Sequence, residues 1–299
     1  MSLNSRAWPP EAGCRGILAG TLLLISAAAC AADQPASQAP VKGVSSVSEL
    51  VLPFDAYKST PEQRAILGNA HNQLVERCMR KKGTVIDLPD EDPVTIAAVD
   101  PGNSRRYGVA DTVATKNFGY HLARLPSPDT TGAWTGKLSK PTRHRLYGNA
   151  VDRGCLDRAT QTLGKGAQKA DWPWLTLQDS LTLEQAAKHP SVTAAAKRWQ
   201  ACMNEAGHPY PTPEAAIADG RWKLDKPAIS EEEKQVAYAD TTCKWSSGLI
   251  AAWFAADAEL QRTLIRDNPE RFAELRANLK QRLAHASGLL SEHERGQVR

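Results

Sequence analysis

Most signatures of catalysis are missing from this chain. It has no G-x-S-x-G elbow, no P-loop, no G-x-G-x-x-G turn and no H-E-x-x-H pair, so none of those hydrolase, nucleotide or metalloprotease chemistries has a starting point. His293-Glu294 begins like the last of these and then runs into Arg295-Gly296. There is no C-x-x-C, and the cysteine spacing fits no zinc ribbon or finger, which leaves no metal or cofactor site to name. A surplus of one charge is absent too. The 37 basic and 33 acidic residues leave a net charge of +4, too balanced to indicate nucleic acid as a partner. The one basic run that stands out is Arg80-Lys81-Lys82, at an expected helix C-terminus, where positive charge meets the dipole favourably. After the leader no apolar stretch is long enough to span a membrane. The alternating α/β pattern usual in two-lobed solute receptors is missing as well.

What is present begins with the leader. Arg6 and Arg15 precede an uncharged apolar run from Gly16 to Ala29, short for a membrane span and followed by small residues, as in a signal peptide. The run ends in Ser26-Ala-Ala-Ala-Cys30, which resembles a bacterial lipobox except that Ala27 stands where Leu is usual. On that reading residues 1–29 are removed and Cys30 is lipidated. The alternative is ordinary cleavage around Ala29 to Ala32 and a secreted protein. Two acyl chains hold a protein stably at a membrane where one is marginal. Residues 30–49 are rich in Ala, Pro, Ser and Gln and read as a disordered tether.

The remaining residues read as two similar halves, 50–170 and 171–299. Each has a Cys-Met-x-x-x-Gly helix end, at Cys78 to Gly83 and at Cys202 to Gly207, followed by Asp-x-x-Cys, at Asp152 to Cys155 and at Asp240 to Cys243. Four cysteines allow three pairings, and the repeat favours Cys78–Cys155 and Cys202–Cys243 in an oxidising compartment. Loops that long stabilise by roughly 4 kcal/mol each in the chain-entropy picture.

The expected fold is mainly α, a disulfide-braced set of helices. A few short strands, or else extended packing segments, are expected in the first half, at Val85 to Leu88 and Val94 to Val99. Thr60-Pro-Glu-Gln63 caps a first helix ending at Gly83, with His71 on its apolar stripe as a structural residue. Residues 125–139 read as a long loop carrying Trp134, a contact candidate, and Asp171-Trp-Pro-Trp174 as a break between halves. In the second half a helix runs from Pro190 to Gly207. A long helix follows the capping box Ser230-Glu-Glu-Glu233 as far as Asp267-Asn-Pro269, and a last helix has a narrow leucine seam suited to an antiparallel partner.

The best site candidate is the turn after Cys202, where Glu205, His208 and Tyr210 gather near Asp240 once the disulfide closes. Paired carboxylates there would suit glycan hydrolysis. Asp152 recurs at the same offset from its cysteine as Asp240, which favours a structural role for both acids and binding over catalysis. The lipobox, the repeated cysteine pattern, Tyr107-Gly108 and Gly119-Tyr120 together resemble uncharacterised exported lipoproteins of high-GC Gram-positive bacteria. The resemblance implies a membrane-anchored envelope protein and transfers no catalytic residue. The expected function is that of a non-catalytic binding or accessory module, its partner an envelope protein or the cell wall. The alternatives are a cell-wall glycan hydrolase or the solute-binding component of a transporter.

Overall fold

Capping and apolar spacing dictate a chain of helices, and the computed structural model, which describes residues 43–122 and 138–297, is built from them. Among the described residues eleven α-helices occur and no strand. They are α1 (Pro61–Lys81), α2 (Pro93–Val99), α3 (Thr112–Phe118), α4 (Lys140–Tyr147), α5 (Cys155–Leu163), α6 (Trp172–Ala187), α7 (Pro190–Glu205), α8 (Pro213–Ile217), α9 (Glu231–Ser246), α10 (Leu249–Asp267) and α11 (Pro269–Gln297). None is long and apolar enough to cross a membrane. Cys30, the lipobox and Trp134 lie outside the described residues.

The short strands expected near Val94 are instead helix α2. Asp92 accepts the Thr95 amide at 2.7 Å and Pro93 occupies the first turn, so local capping overrides the β-branched composition. Val85 to Leu88 takes no regular structure, and the Leu88 amide is bound by the Glu76 carboxylate. Pro173 likewise opens a helix rather than stopping one. Asp171 caps α6 through the Trp174 amide at 3.0 Å, and both Trp rings join the Phe54, Tyr57, Leu175, Phe272 and Leu275 cluster. The helix expected to run unbroken from Ser230 divides at Gly248, whose φ of 72° only glycine adopts readily, into α9 and α10.

Val41–Arg299 forms one compact unit. Its largest apolar cluster lies between α7, α8 and α9, around Trp199, Met203, Trp222 and Val236, and includes Val109 and Tyr120 from the earlier part of the chain. A second joins Leu50, Leu52 and Tyr107 to Ile250 and Phe254 of α10, with Val44 and Val47 packed on it ahead of Leu50. The leucine seam of α11 is filled by the first helix: Ala286, Leu289 and Leu290 meet Ile66, Leu67 and Ala70 of α1 and Leu163 of α5. His71 stays on this frame, its Nε2 at 3.2 Å from both the Leu156 carbonyl and Thr160 Oγ1.

Both disulfides have the expected pairing, Cys78–Cys155 and Cys202–Cys243, with Cα separations of 5.6 and 5.7 Å. The helix ends beside them match closely. Met79 and Met203 are fully buried, and Gly83 and Gly207 are left-handed at φ 73° and 81°. The amides of Thr84 and His208 return to the Met79 and Met203 carbonyls at 2.9 and 2.8 Å.

A buried polar clamp ties the amino-terminal segment to the helices. Arg106 reaches Asp257 at 2.6 Å and Asp179 at 3.0 Å, and the Tyr107 hydroxyl donates to Asp257 at 3.0 Å. Gln261 accepts the Phe54 amide at 2.9 Å. Each buried charge thus has an opposite charge and hydrogen bonds, which is the condition for burying it at all.

Candidate functional site

The four residues expected to gather after Cys202 are divided between three surroundings. Asp240 sits in the middle of α9, wholly buried. Its Oδ2 accepts from Lys244 Nζ, one turn on, at 2.7 Å, and its Oδ1 accepts from Trp199 Nε1 of α7 at 2.9 Å. Burial pushes its pKa up, and Lys244 pulls it back. Tyr210 turns outward instead. Its hydroxyl donates to Asp219 at 2.7 Å and accepts from Arg221, which also pairs with Glu232. Arg221 holds the Asp219 carboxyl well below the usual range. His208 closes the α7 cap with its backbone, while Glu205, the last residue of α7, is exposed. No hydrogen bond or ion pair joins Glu205 to Asp240 among the described residues.

Two further buried charges complete the neighbourhood of Asp240, of which Lys244 was not singled out in the sequence. Lys244 is wholly buried and also reaches the Val109 carbonyl at 3.4 Å. Glu233, in the first turn of α9, was expected to complete a capping box. Ser230 does accept the Glu233 amide at 3.1 Å, but the Glu233 carboxylate turns inward to the Tyr120 amide and His121 Nδ1, each at 2.8 Å. Glycine makes room for both charges. A Cβ on Gly108 would come within 2.7 Å of Lys244 Nζ, and one on Gly119 within 2.5 Å of Glu233 Oε1. The Tyr-Gly and Gly-Tyr pieces were the available signal, and their meaning is close approach of backbone to buried charge. The Tyr120 hydroxyl has no partner in hydrogen-bond geometry; burial, then the Asp240 charge, raises its pKa.

An accessible concave surface lies at the other disulfide. A groove of about 840 Å³ runs between the carboxyl-terminal half of α1 and α5. Arg77, Lys81 and Lys82 form one rim, and Arg158 and Lys165 the other, with Leu74, Cys78 and Ala159 among the lining residues between them. Helical spacing explains the arrangement. Residues 74, 77, 78 and 81 share one face of α1, as 158, 159, 162 and 165 share a face at α5 and its end. The Cys78–Cys155 bond joins the two elements at one end of the groove. Asp152 is the acid paired here, to Lys82 and Arg158 at 2.6 Å each, and its side chain is 47 % exposed. Lys82, then Arg158, hold its carboxyl below the ordinary value. The side chains of Arg77, Lys81 and Lys165 have no hydrogen-bond or ion-pair partner among the described residues.

The carbonyls at the end of α1 do not depend on these cations. The Lys82 amide bonds the Cys78 and Met79 carbonyls, Gly83 bonds Arg80, and Thr84 bonds Met79. No group of three or more His, Cys, Asp or Glu side chains is placed to hold a metal ion among the described residues. No protein-family model, curated protein or solved structure matches this chain.

Proposed function

We propose that this protein is an exported lipoprotein, anchored through Cys30 on the extracytoplasmic face of the cell membrane, that acts by binding rather than by catalysis. The anchor is supported by the apolar leader and Ser26-Ala-Ala-Ala-Cys30. Export is the setting in which two disulfides persist, and both pairs here have bonded geometry. The single observation that carries the binding reading is the burial of Asp240. A glycan hydrolase needs two carboxylates facing one substrate, and this acid is sealed against Lys244 and Trp199 while Glu205 stands in solvent. A surface open to a partner is the cationic groove between α1 and α5.

The test is fractionation of cells carrying the unchanged chain or Cys30→Ser, with mass spectrometry of the mature amino terminus. The reading expects a diacylated Cys30 in the membrane fraction and release of Cys30→Ser. An unmodified terminus near Ala31 in the soluble fraction of the unchanged chain would replace the anchored protein with a secreted one.

A further inference from the structure

We infer that the groove between α1 and α5 receives the headgroup of an anionic phospholipid, so that the folded unit docks on the membrane surface through this face. The inference rests on the binding reading above and names its ligand. Five cations line the groove and one paired acid answers them, although the chain as a whole is nearly balanced at +4. Asp152 already occupies Lys82 and Arg158. Arg77 and Lys81 on one rim and Lys165 on the other are therefore the charges left for a ligand. Three donors on two facing elements suit a phosphate, whose oxygens accept from several directions.

Between the rims the lining is partly apolar, with Gln161 and Thr162 as its uncharged polar members. Leu74, Ala159 and the Cys78 side of the disulfide present no charged group. A wholly polar phosphodiester chain would leave Leu74, Ala159 and the Cys78 side unmatched. A phospholipid places phosphate on the rims and its glycerol and first methylenes on the floor. The volume, about 840 Å³, is within the usual range for a small-molecule site. Cations near an anionic leaflet contribute additively, and three of them together change affinity on the order of a hundredfold.

The test uses the exported chain with Cys30→Ser, so that no attached lipid contributes. Its sedimentation is measured with phosphatidylglycerol vesicles and with phosphatidylcholine vesicles. Binding to the first alone is expected. Arg77→Gln/Lys81→Gln/Lys165→Gln should weaken it about a hundredfold with an unchanged thermal midpoint, because none of the three side chains bonds another of the described residues. Lys188→Gln/Lys197→Gln/Lys280→Gln removes the same charge from exposed positions elsewhere and should stay within a few-fold of the parent. Equal binding to both vesicles, equal losses in the two triple variants, or displacement by soluble polyphosphate at matched phosphate concentration would each overturn the inference. A negative result here leaves the Cys30 anchor standing, and a failed anchor leaves this measurement unaffected.

Discussion

At each disulfide a helix ends in Cys-Met-x-x-x-Gly, its methionine buried and its glycine left-handed, and an Asp-x-x-Cys segment closes the bond. The acids then part company. Asp152 lies in the bend before α5, because Cys155 is the first residue of that helix, and its carboxylate reaches out to Lys82 and Arg158. Cys243 is in the last turn of α9, so Asp240 sits nearly one turn earlier, within the helix and on its buried face, and meets Lys244 in the core. The same pattern therefore braces both corners, while its position relative to a helix start decides whether the acid faces water or core. One corner keeps an open cationic groove and the other is closed.

The largest effect expected on this comparison comes from the bridges themselves. In the chain-entropy picture Cys78→Ala/Cys155→Ala loses about 4.5 kcal/mol and Cys202→Ala/Cys243→Ala about 4 kcal/mol, the first more because its loop spans 77 residues against 41. Urea unfolding of the two double variants measures the order. A greater loss at the shorter loop would mean that packing at the closed corner, and not chain entropy, dominates.

Next comes the room made for buried charge. Gly119→Ala puts a Cβ 2.5 Å from Glu233 Oε1 at a backbone φ of 56°. It should cost roughly 1–3 kcal/mol, read as a lower thermal midpoint. Gly83→Ala, with a similar φ but nothing within 4 Å of the added Cβ, should cost less.

The smallest effect is in pH dependence, and its sign differs between the corners. Asp240 is raised from its ordinary 3.8 by burial. Between that value and the raised one the native chain holds a proton that the unfolded chain has released, so its contribution falls as pH rises through this window. Asp152 is lowered by Lys82 and then Arg158, so its contribution is present above the ordinary value and lost as pH falls. Urea midpoints collected against pH should decline less steeply on the acid side for Asp152→Asn than for the unchanged chain.

These differences also mark what could be read before the fold was known. The caps at Thr60 and Ser230 are local and were legible from two or three neighbouring residues, whereas those at Ser139 and Asp171 open helices where a loop and a break were expected. Pro173 was misread because proline fits the first turn of a helix as well as it breaks one, and Pro93 does the same ahead of the stretch expected as a strand. The leucine seam of α11 announced a helical partner but not which, and α1 is more than 180 residues away in sequence, so only tertiary packing selects it. Asp240 and Lys244 stand at i and i+4, a spacing equally suited to an exposed ion pair, so sequence alone did not reveal their burial. The groove cations were visible only in part, as Arg80-Lys81-Lys82, because Arg158 and Lys165 join them through the fold.

The most direct test of the two uses of one pattern is a side-by-side urea titration of Asp240→Ala and Asp152→Ala at neutral pH. Removing Asp240 strands a buried ammonium and should cost about 3–5 kcal/mol, largely recovered in Asp240→Leu/Lys244→Met. Removing Asp152 breaks two solvent-screened pairs and should leave the midpoint nearly where it was. Equal losses in the two variants would contradict the account.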